Sequence, residues 1–69
     1  MTASWETRVR ELSVRLLNAS YYALAGEGCA LLVELDTWRE RAPLGEQKSD
    51  WFGRALTWFR LGESRCPAP

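Results

Sequence analysis

Sixty-nine residues with 46% hydrophobic and 12% aromatic side chains are too apolar for a disordered chain. They suffice for one small domain near the lower limit for a self-sufficient core. Nine basic and nine acidic residues cancel, so no net field steers the molecule toward nucleic acid or a membrane, and the lack of histidine removes the commonest general base and metal ligand.

The charges are nevertheless uneven. Residues 26–50 carry six acids and three bases, whereas 51–69 carry three arginines and one glutamate. Eight of the nine bases are arginine, a bias that a GC-rich genome produces as readily as a binding role does. The first fifteen residues include Glu6, Arg8, Arg10, Glu11 and Arg15 where a secretory leader would be apolar. The longest uncharged run, Leu16 to Gly26, is eleven residues, against about 20 for a bilayer span. The expectation is a cytoplasmic protein with no membrane span.

Along the chain, Thr2 and Ser4 are candidate N-caps, and Glu6 stands in a first turn where the helix dipole favours an acid. Trp5, Val9, Leu12, Leu16, Ala19 and Ala23 then recur at steps of four and three, which predicts a helix over 4–25. A second row, Val14, Leu17, Tyr21 and Leu24, lies roughly 100–180° round from the first. One stripe packs against one neighbour, so two stripes imply two. Tyr22 projects away from both rows and is expected in solvent.

Gly26-Glu27-Gly28 is expected to end this helix, with Gly26 in the left-handed position. Leu31, Leu35, Trp38 and Ala42 repeat the helical step and predict a second helix over 29–42. The alternative is a β-hairpin at 21–35 with Tyr21–Ala25 and Cys29–Leu35 as strands, making the fold α+β; the alanine and leucine content disfavours it. Pro43 is placed as the stop, and 44–49 as a polar connection from which Leu44 returns to the core.

The third helix is expected over 50–61, capped by Ser49 or Asp50. At 100° per residue Trp58, Trp51, Ala55, Phe59, Phe52 and Leu56 share an arc of about 160°. Gly62 then closes the domain at 1–62 and leaves 63–69 as a flexible tail. Cys29 and Cys66, 37 positions apart, match no metal spacing. Two reduced thiols are expected, Cys29 in the core and Cys66 in the tail, with a disulfide between them as the alternative. The expected fold is all-α, a small three-helix bundle completed by homodimerisation.

Catalytic parts are missing from this inventory. No serine occupies a nucleophile elbow and no glycine cluster forms a phosphate loop. Glu34, Asp36 and Glu40 read as solvated neighbours of Arg39 and Arg41 in preference to a magnesium site. No enzyme activity, cofactor or metal is expected.

A helix-turn-helix outline is present in the second and third helices, with Lys48, Arg54, Thr57 and Arg60 available to DNA. Against it stand the long Ala42–Ser49 connection and the acidic middle segment. A membrane-surface helix at 50–61 would need more basic residues than two arginines. The preferred reading is a non-catalytic protein–protein interaction module: an adaptor, small regulatory subunit, chaperone or inhibitor. Its partners are a second copy of itself and another protein, engaged through Val14, Leu17, Tyr21 and Leu24 or through Trp51, Arg54 and Trp58.

Overall fold

A computed structural model describes residues 4–42 and 44–67. Three helices follow one another: α1 (Trp5–Asn18), α2 (Tyr22–Thr37) and α3 (Gly45–Arg65). No strand occurs among the described residues, and the segment considered as a hairpin is continuous helix from Tyr22. The fold is the all-α three-helix bundle that the periodicity predicts.

α1 starts where expected. Ser4 is extended and its Oγ accepts the Thr7 N–H at 3.2 Å, while the other candidate cap, Thr2, lies outside the described residues. The first stripe delivers Val9, Leu12 and Leu16 to the core, fully buried, with Trp5 half-buried beside them. The second end is a correction: α1 stops at Asn18, not at 25. The Tyr21 N–H bonds back to the Leu16 carbonyl at 2.8 Å and the Ser20 N–H to the Leu17 carbonyl at 3.0 Å. That pair of bonds is a Schellman closure, and it places Ser20 in the left-handed region at φ 68°. Serine in place of the usual glycine hides the break from sequence reading. Ala19 and Ala23 are consequently exposed and not part of the stripe.

Gly26 and Gly28, expected to form a turn, are instead interior residues of α2. Gly28 is there because α1 and α3 press on it. A Cβ at that position would lie 2.9 Å from Cη2 of Trp58, with the Ser13 hydroxyl closer still. α2 also ends earlier than expected, at Thr37, followed by a turn over 38–41. Ala42 is exposed, and the expected stop at Pro43 lies outside the described residues.

α3 begins five residues earlier than expected and ends four later. Gln47 Oε1 accepts the Leu44 N–H at 2.9 Å, and Glu46 adds a charge favourable to the first turn. Ser49 and Asp50 are therefore helical, not caps, and Leu44 is exposed instead of dipping into the core. At the other end Glu63, Ser64 and Arg65, assigned to the tail, are helical. Cys66 closes the helix with its N–H on the Gly62 carbonyl at 2.8 Å. Arg15 holds that end from α1, reaching both the Cys66 carbonyl and Glu63 at 3.3 Å.

The core is the meeting of the α1 stripe with Ala25 and Leu31 of α2 and Trp51, Ala55 and Trp58 of α3. Indole N–H groups must be satisfied when buried, and both are. Trp51 donates to the Leu31 carbonyl at 3.0 Å and Trp58 to the Leu24 carbonyl at 2.7 Å. Edge-to-face contacts extend the cluster from Trp51 to Trp38 and Phe52, and from Trp5 to Phe52 and Phe59. These two tryptophans therefore anchor α3 to the backbone of α2.

Candidate interaction surface

Once this core has formed, three of the exposed large apolar side chains, Val14, Leu17 and Tyr22, line one groove between α1 and α2. Its walls are Val14 and Leu17 from α1 and Tyr22, Gly26, Cys29 and Leu32 from α2, with Ser13 and Ala25 on the floor, and it encloses about 330 Å³. Arg10 stands at one end. Val14 is 50% exposed, Leu17 53%, Tyr22 66%, and Val33, one turn further along α2, 62%. Large apolar side chains this exposed and this close together are the kind of patch that marks interaction sites.

Local structure explains why they align. On α2, Tyr22, Gly26, Cys29 and Val33 are spaced four, three and four apart, which confines them to an arc of about 60°. Val14 and Leu17 occupy the adjoining edge of α1. The early end of α1 at Asn18 turns the chain back so that α2 presents its stripe beside that edge.

Several expected site residues fall elsewhere. Trp51 and Trp58, expected at a partner surface, are 1% and 5% exposed and belong to the core. The 160° aromatic face of the third helix is covered by the chain's own α1 and α2, and only Phe52 and Leu56 at its margin are exposed. Leu24 packs against the core and Tyr21 is exposed at the α1–α2 connection, so the second row expected on one helix is divided between two. Val14 and Leu17 are the members that the structure brings together. Tyr22, Gly26 and Cys29 escape the sequence reading because Tyr22 reads as isolated, Gly26 as a turn and Cys29 as core. Their four-three spacing is the signal available.

Cys29 is also a correction. It is exposed, not buried, because it lies about 160° round α2 from Leu31, which with Leu35 and Trp38 faces the core. Cys66 is half-buried against α1, with its Sγ 3.8 Å from the Arg15 carbonyl oxygen, and both thiols are free.

The opposite groove, between α2 and α3, is governed by Arg54. Its guanidinium takes Glu34 in a two-pronged contact at 2.7 and 2.9 Å and Asp50 at 2.7 Å. Hydrogen bonds donated to Glu34 chiefly, opposed by desolvation and reinforced by Asp50, hold its pKa above the ordinary arginine value. Both states stay charged at working pH, so this contributes no pH dependence below about pH 12. A cavity of about 260 Å³ beside it is lined by Glu27, Ala30, Leu31 and Trp58 as well as by Glu34 and Arg54.

That arrangement bears on nucleic acid. Arg54 is committed to two carboxylates, and the Thr57 hydroxyl donates to the Gly53 carbonyl at 3.0 Å. Lys48, Arg54, Thr57 and Arg60 are all exposed but point in directions spread over about 240° of the helix, not along one edge. A recognition helix needs its contacts on one face. Two of the three acidic candidates are likewise engaged: Glu34 with Arg54, and Asp36 with Arg39 at 3.5 Å, which also reaches Glu6 at 3.2 Å. Among the described residues no three acidic, cysteine or histidine side chains are placed to hold a metal, and no helix is long and apolar enough to cross a membrane.

No protein-family model, curated protein or solved structure matches the chain, and the geometry of its own residues carries the functional reading.

Proposed function

We propose that this protein is a non-catalytic protein–protein interaction module whose working surface is the α1/α2 groove. The observation that carries this reading is the cluster of Val14, Leu17 and Tyr22, each at least half exposed, around a groove almost free of polar atoms. Its single charged wall residue, Arg10, is already paired with Glu6 at 3.2 Å. Depletion of charge at the centre with charge at the rim is the anatomy of an interface. Tyrosine adds a large, conformationally cheap contact with a polar tip.

The test is site-specific photo-crosslinking in cells of the source organism. A benzophenone side chain at Tyr22 should give discrete protein adducts that disappear when Leu17→Glu is added. The same group at Arg60, on the far side of α3, should give none of them. Equal adducts from both positions, or adducts indifferent to Leu17→Glu, would overturn the reading.

A further inference from the structure

We draw no further inference here: the strongest candidate, the hollow between α2 and α3 lined by Glu27, Glu34, Asp50, Arg54 and Trp58, rests on three carboxylates, two of them already held by Arg54 at 2.7 Å, and nothing else in the structure points to a ligand there.

Discussion

Trp58 rests on Gly28 and reaches past it to donate its indole N–H to the Leu24 carbonyl at 2.7 Å. That carbonyl is the one residue 28 itself addresses in the helical ladder, so the indole shares an acceptor four residues back along α2. The approach requires a residue without a side chain, because even one methyl group would stand inside contact distance of both the indole and the Ser13 hydroxyl. Gly28 therefore sets how closely α2 sits against α1 and α3.

Two glycine substitutions should consequently have opposite signs. Gly28→Ala gains helix propensity of about 1 kcal/mol but overpacks the three-helix junction, and overpacking costs about 1–3 kcal/mol. Gly53→Ala, in an exposed turn of α3 with nothing within 4 Å, keeps only the gain. Urea denaturation should show Gly28→Ala less stable than wild type and Gly53→Ala more stable by about 0.5–1 kcal/mol. Stabilisation by Gly28→Ala would show that α2 does not approach Trp58 this closely.

Ser20 offers a second stabilising change. At φ 68° a serine side chain is held in a region glycine occupies freely. Among the described residues its hydroxyl makes one hydrogen bond, accepted from the Tyr22 hydroxyl at 3.5 Å. Ser20→Gly should raise the midpoint of thermal unfolding, corresponding to about 0.5–1 kcal/mol after allowing for the added freedom of the unfolded chain. An unchanged or lowered midpoint would place the turn in another conformation.

Arg54 is expected to matter for stability and not for DNA. The pairs it forms with Glu34 and Asp50 are substantially exposed, so Arg54→Ala should cost only about 0.5–1 kcal/mol, shrinking as salt is raised. Combined with Arg60→Ala it should leave any weak binding of duplex DNA almost unchanged. A tight, sequence-dependent mobility shift at physiological salt, abolished in the double variant, would instead make α3 a recognition helix.

The thiols should react in the reverse of the order that the sequence predicts. Measured in the Leu17→Glu background, exposed Cys29 should react with a thiol reagent faster than Cys66, which is half-buried and held at the end of α3. Faster labelling of Cys66 would mean that the last turn of α3 does not dock on α1.

Much of this molecule is determined by sequence periodicity alone. Trp5, Val9, Leu12 and Leu16 step along one face, and that step specifies both the helix and the side it buries. Trp51, Ala55 and Trp58 do the same for α3, and Ser4 marks the first cap with a side chain suited to accepting a backbone N–H. These signals are local: they depend on 3.6 residues per turn and on the donors left free at a helix end. The boundaries and the surface were decided by tertiary structure. Gly26-Glu27-Gly28 looks like a turn to any local rule, yet the need to seat Trp58 and Ser13 keeps Gly28 inside a helix. The turn itself falls at Ser20, where the bonds from residues 20 and 21 back to Leu17 and Leu16 sustain a left-handed serine. That early turn brings Tyr22, Gly26 and Cys29 of α2 beside Val14 and Leu17 of α1. Burial of Trp51 and Trp58 likewise depends on carbonyl acceptors supplied by α2, twenty and thirty-four positions away in the chain. A periodic pattern states that a face must be covered, and only the packed chain supplies its cover.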